Sequence, residues 1–201
     1  MNDAIHAQNS DEQDADDMAR LASGHDPSLN ALMDRHAERV FHYLLRSLRN
    51  ESDAADLAQE TFVKVYQNRA RYDGRQKFST WLYAIASNLV RTRYRWRVRH
   101  PQVSLNAENP ETGTEFGDQF PDLVSTPSES LESSERSETV RRAIAALPDD
   151  VRLPLVLAEY EDKSHAEIAA ILNCSVKAVE NRICQARNRL RGALAPVLQC
   201  A

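Results

Sequence analysis

Residues 64–100 hold ten Lys or Arg against a single acid, Asp73, a local charge of +9. Five of those bases, Arg91, Arg93, Arg95, Arg97 and Arg99, stand at alternate positions. A block of this kind attracts polyanions, and the phosphate backbone of nucleic acid is the usual one. A second set lies on residues 177–191, where five bases accompany one acid, Glu180. There Asn181, Arg182 and Gln185 carry groups that match base edges: Arg reads guanine, and Asn or Gln reads adenine. Lys177, Arg187, Arg189 and Arg191 suit phosphates. Glu180 suits either cytosine or a partner within its own helix. Covalent chemistry has no comparable support. There is no nucleophile–base pair, Gly-rich phosphate loop or CxxC, and the six histidines show no ligand spacing. Cys174, Cys184 and Cys200 are an odd count, which gives no disulfide framework. Neither an enzyme, a cofactor nor a metal is expected.

These two basic sets sit in a chain of 201 residues whose net charge is only −5. Residues 1–30 carry seven acids and one base, and residues 101–138 carry nine acids and one base. The basic block is therefore bracketed by acidic segments. No apolar run approaches the roughly 18 residues of a membrane helix. The acidic start is unlike a secretory signal, so a cytoplasmic protein without membrane insertion is expected.

Helical periodicity organises the rest. Residues 1–26, acidic and poor in large apolar side chains, read as a disordered tail. Leu29, Leu32, Met33, His36, Val40, Leu44 and Leu48 form one stripe at spacings of three and four. Ser52 or Asp53 is placed to cap the next helix, whose inner face is Ala54, Leu57, Ala58, Phe62 and Val65. A basic loop over 68–77 leads to a third helix with Phe78, Leu82, Ile85, Leu89 and Trp96 as its stripe. The alternating arginines belong to the end of that helix. Residues 101–137, rich in Pro, Ser, Thr and acids, read as a flexible linker dividing two domains, 27–100 and 138–201. Pro154 is expected early in its helix, where the missing N–H costs little. The fold class is all-α, with two small helical domains.

The most specific pattern is a helix-turn-helix over 164–191. Ser164-His165-Ala166-Glu167 reads as a capping box. Ala169 is small enough for two helices to cross closely. Asn173, four residues on, is the best substitute for Gly in a left-handed turn. Val179 fills the aliphatic position ten residues after Ala169, and Ser175 is placed to cap the second helix. The N-terminal half of that helix enters the major groove in this motif. Cys184 is expected against the core or the groove edge.

Both halves resemble one family, the extracytoplasmic-function sigma factors of RNA polymerase. Asp53-Ala54-Ala55-Asp56-Leu57-Ala58-Gln59-Glu60-Thr61-Phe62 is similar to that family's region 2.2. Phe78-Ser79-Thr80-Trp81-Leu82-Tyr83-Ala84-Ile85-Ala86, with Asn88, resembles regions 2.3 and 2.4. Leu147-Pro148 and the helix-turn-helix resemble region 4. The domain that larger sigma factors carry between these two is absent. The resemblance implies that Asp53, Asp56, Gln59, Glu60 and Lys64 dock on the β′ clamp helices of core RNA polymerase. The resemblance also implies that region 4 meets the β flap. It implies that Arg71, Tyr72, Arg75, Lys77, Phe78, Trp81, Asn88, Arg91 and Arg95 handle the −10 element of promoter DNA as an unpaired strand. Ser175, Lys177, Glu180, Asn181, Arg182, Gln185, Arg187 and Arg189 would then read the −35 duplex. An anti-sigma factor is a further implied partner. Trp81, Tyr94 and Trp96 suit either core or DNA.

Three other readings compete. A stand-alone helix-turn-helix regulator has no need of the 53–62 segment. An enzyme lacks its chemistry, and a purely protein-binding adaptor does not explain the basic block.

Overall fold

The computed structural model describes residues 2–100 and 137–198, which form helices and turns with no strand among them. Five elements make the first unit: α1 (Asn2–Ala22), α2 (Pro27–Leu48), α3 (Glu51–Gln67), a short 3-10 turn (Arg69–Arg71) and α4 (Phe78–Arg99). The second unit comprises α5 (137–145), α6 (Asp149–Glu159), α7 (His165–Leu172) and α8 (Val176–Leu198). The linker expected over 101–137 lies outside the described residues, except that Ser137 opens α5. Among the described residues no helix is long and apolar enough to cross a membrane, and no cluster of His, Cys, Asp or Glu could hold a metal.

Helix α1 corrects the reading of residues 1–26 as disordered. Asp14, Asp17, Met18 and Leu21 recur at helical spacing on one buried face. Two of those four inward positions are acids, so the stripe lacks the usual apolar signature. The acids are neutralised from α2. Arg35 Nε donates to Asp14 at 2.8 Å, Arg35 Nη2 donates to Asp17 at 2.6 Å, and the His36 ring meets Asp14 at 2.6 Å. Buried charges persist only when paired in this way.

Pro27 opens α2, where its missing N–H is no loss, and Arg49 ends it in the left-handed region at φ 59°. Leu32, Val40, Leu44 and Leu48 are buried as expected, and Tyr43 joins them. Its hydroxyl shares a 2.7 Å hydrogen bond with Ser87 on α4. Burial pushes that phenol up to about 12. The cap of α3 is Asn50, whose side chain accepts from the Asp53 N–H at 2.8 Å, and not Ser52 or Asp53. Ala54, Leu57, Phe62 and Val65 face inward as read from the sequence.

Helix α4 is rotated from the expected stripe. Its buried apolar residues are Phe78, Leu82, Tyr83, Ala86 and Val90, with Ile85 and Leu89 only partly covered and Trp96 46% exposed. Its contacts with α2 run through Phe78, whose ring lies 5.2 Å from His36, and through Tyr83 and Ser87, which both meet Tyr43. Tyr94 packs, donating its hydroxyl to the Ser47 carbonyl. Trp96 stays outside, its ring stacked on His100 with centroids 5.0 Å apart.

In the second unit the capping box at Ser164 and Glu167 is formed. Pro154 lies in the middle of α6, deeper than expected, on a helix otherwise lined by buried Val151, Leu153, Leu155, Val156 and Leu157. The two units are in contact, α7 packing on α4 and α6 on α2.

Candidate nucleic-acid interface

The helix-turn-helix is built as its sequence requires. Asn173 takes φ 50°, ψ 58°, and its N–H closes α7 on the Ala169 and Ala170 carbonyls. Ala169, Ile168 and Ile171 are buried together with Val179, Ile183 and Ala186 of α8. Ser175 Oγ accepts from the Ala178 N–H at 3.2 Å, capping α8. Substituting Asn173 by Val should cost about 1–2 kcal/mol, the penalty of a β-branched residue in the left-handed region. Gly at the same position should be nearly neutral. Thermal denaturation of the three proteins measures the difference.

Burial on the second unit then sorts the residues expected to face DNA. Ser175, Lys177, Asn181, Gln185, Arg187 and Arg189 are exposed. Glu180 is held by Lys177 Nζ at 3.0 Å, so the intrahelical role is the one the geometry supports. Arg182 is half-buried and folds back to Cys174 Sγ at 3.5 Å, away from a base-reading pose. Arg187 is engaged by Glu159 at 2.7 Å. Cys184 is exposed, not set against the core, and Asn188 is exposed with it. Lys177, Asn181, Cys184 and Asn188 follow a spacing of four, three and four, so one outward row carries all four. The sequence reading missed Asn188, although that spacing identifies it.

A second surface lies along the loop before α4 and on the outer side of α4. Arg71, Arg75 and Lys77 are exposed. Arg75 grips Asp73 through two side-chain nitrogens at 2.6–3.0 Å. Those hydrogen bonds hold the Asp73 carboxyl down at about 2. Lys77 pairs with Asp11 of α1 at 2.9 Å, a bond that raises its ammonium pKa. The Tyr72 hydroxyl donates to the Gln76 carbonyl at 2.7 Å, and the ring lies 5.3 Å from half-buried Trp81. Phe78 corrects the expectation. It is 0% exposed, packed near His36, Tyr72 and Trp81, so it supports this surface from beneath and does not meet DNA. Asn88 and Arg95 are exposed, whereas Arg91 donates to the Leu172 carbonyl of α7 at 3.0 Å.

A third surface is acidic. Asp56, Gln59 and Glu60 are exposed along α3, and Val63, 51% exposed, continues the row. Val63 and Gln59 border an apolar groove with Leu29, Met33, Phe62 and Tyr66. Lys64 lies at the margin, half-buried. Asp53 departs from this group. Its carboxylate takes ion pairs from Arg93 and Arg97 of α4, so it ties α3 to α4 and does not extend the exposed acidic row.

A helix-turn-helix presenting a polar row, joined to a helical unit with its own basic and aromatic surface, is the arrangement of a nucleic-acid-binding protein. Family comparison gives the class. The Sigma-70 region 2 family matches residues 32–100, and the Sigma-70, region 4 family matches residues 137–190. The chain is 32% identical over 189 residues to the RNA polymerase sigma-H factor of Pseudomonas aeruginosa, covering 94% of this chain and 97% of that protein. It is 35% identical over 178 residues to the ECF RNA polymerase sigma factor SigW of Bacillus subtilis, covering 87% and 93%. Among solved structures it is similar to CnrH in complex with the cytosolic domain of CnrY, with a TM-score of 0.65 and 27% identity over 92% of this chain and 98% of that one. The chain belongs to the sigma-70 family, in its extracytoplasmic-function group. It is a promoter-directing factor of transcription initiation, and the reading as a stand-alone regulator gives way because region 2 is present as well as region 4.

Proposed function

We propose that the three surfaces divide the work of a sigma factor. The acidic row Asp56, Gln59 and Glu60, with Val63 beside it, docks on the β′ clamp helices of core polymerase. The exposed row of α8, led by Lys177, Asn181 and Gln185, reads the −35 duplex in the major groove. Region 4 also touches the β flap. Arg71, Arg75, Lys77, Tyr72, Trp81, Asn88 and Arg95 capture the unpaired −10 strand, shifting the duplex towards opening by mass action. Arg91 joins them once it leaves Leu172. The factor itself makes and breaks no bond. It works in the cytoplasm and is held in reserve by an anti-sigma protein; that CnrH, to which the chain is similar, is solved in complex with the cytosolic domain of another protein, CnrY, supports a protein partner of this kind.

The observation that carries this reading is the separation of chemistry on one chain. Base-reading amides lie on α8, rings and cations lie before α4, and acids lie on α3. Selection from a randomised promoter library by reconstituted holoenzyme tests it. Asn181→Ala should relax preference at a single −35 position by about 1–3 kcal/mol, the discrimination of a bidentate contact. Asn88→Ala should leave −35 preference intact and alter −10 preference. An unchanged −35 preference for Asn181→Ala would remove α8 from the reading.

A further inference from the structure

Glu161 is the feature that neither unit explains by itself. It sits in the tight turn between α6 and α7, where Asp162 adopts φ 51°. Its side chain is only 3% exposed. Glutamate is rarely buried unless paired. Its hydrogen bond and its ion pairs come from the other unit. The Tyr83 hydroxyl of α4 donates to its carboxylate. Arg39 and Arg46 of α2 approach at 3.5 and 3.8 Å. Burial lifts the carboxyl above its ordinary range, a cost partly offset by the Tyr83 hydrogen bond and then by the charges of Arg39, Arg46 and Lys163.

The neighbours of Glu161 complete the fit. Arg46 also covers the Tyr160 ring at 4.3 Å. Lys163 donates to Ser79 Oγ at 2.9 Å. At the far end of α7, the Leu172 carbonyl accepts from Arg91. Helix C-terminal carbonyls lack intrahelical partners, so this one is ready to accept. The segment 160–172 therefore lies along one edge of α4, and Arg91, assigned above to −10 DNA, is occupied by it.

We propose that the 160–163 turn is an intramolecular plug, pinned by Glu161 in the socket formed by Arg39, Arg46 and Tyr83, which keeps the free chain closed with region 4 docked on region 2. Its consequence for DNA rests on the reading of α4 as the −10 surface. The closure itself does not. In the closed state Arg91 is engaged and the two reading heads are held at a fixed separation. A core polymerase or inhibitor that changes their spacing must first withdraw the plug.

Small-angle scattering of the full chain tests closure, and polarisation of a fluorescein-labelled single-stranded DNA of random sequence tests its consequence. Glu161→Arg places a third cation between Arg39 and Arg46 and should expand the particle. Arg46→Glu, at a half-exposed site, should do so independently. The double variant Arg46→Glu/Glu161→Arg, with the net charge of the parent, should restore the compact form. DNA affinity should rise about tenfold in Glu161→Arg, the factor by which a closed state favoured ten to one conceals a site. It should fall back in the charge swap. Expansion with unchanged DNA binding supports the plug and counts against the −10 assignment of α4. Scattering identical to the parent for both single variants, with native helicity, overturns the plug. Should Glu161→Arg lose helicity, Arg46→Glu and the swap decide alone.

Discussion

Reversing Asp56 and Glu60 together to arginine is expected to weaken binding of core polymerase by about 100-fold or more, since uncoupling one close charge pair at an interface already costs about 2–5 kcal/mol. Both side chains are exposed on α3, on the side away from Leu57 and Val65. The fold should be indifferent to the change, because exposed substitutions away from caps and networks stay within about 0.5 kcal/mol. The neighbouring acid sets the contrast. Asp53→Ala strands Arg93 and Arg97 on α4, so it should lower the melting temperature and leave core affinity nearly unchanged. Titration of labelled protein with core enzyme, paired with thermal denaturation, separates the two effects. Equal loss of core affinity in both proteins would put Asp53 back on the docking face.

Phe78→Ala is expected to destabilise the first unit by about 3–5 kcal/mol, the usual cost of deleting a buried aromatic ring. The side chain is fully buried at the first turn of α4. It anchors the loop that carries Arg75 and Lys77, and its ring lies 5.2 Å from His36 and 6.3 Å from Trp81. Trp81, half-buried at the same surface, should behave in the opposite sense. Trp81→Ala should cost less stability and more −10 strand affinity, by about 1–3 kcal/mol for a lost base stack. Denaturant unfolding alongside binding of single-stranded −10 DNA compares the pair. A Phe78→Ala protein of normal stability that fails only in DNA binding would contradict its place in the core.

The parts of this molecule legible in the sequence are those specified locally. Ser164 and Glu167 form their box within four residues, and Asn173 takes the left-handed turn that its position demands. The inner faces of α3 and α7 follow simple periodicity. What escaped the sequence depends on contacts between distant residues. Helix α1 hides its inward face because Asp14 and Asp17 occupy it, and only Arg35 and His36, about twenty residues on, make those acids tolerable. Asp53 looks like part of an exposed acidic row until Arg93 and Arg97 arrive from α4. The orientation of α4 is set by where α2 and α3 lie against it, so Trp96 left the expected stripe and Ala86 entered it. The docking of Glu161 depends on residues of the other unit and has no local signature at all.

Run-off transcription on genomic fragments, with purified core polymerase and this chain as the added factor, meets the central claim most directly. Transcripts should begin at a small set of defined start sites, absent with core alone, and should vanish with the Asp56→Arg/Glu60→Arg protein. Transcription that is identical with and without the chain, in a preparation where core is active with another sigma factor, would contradict the account.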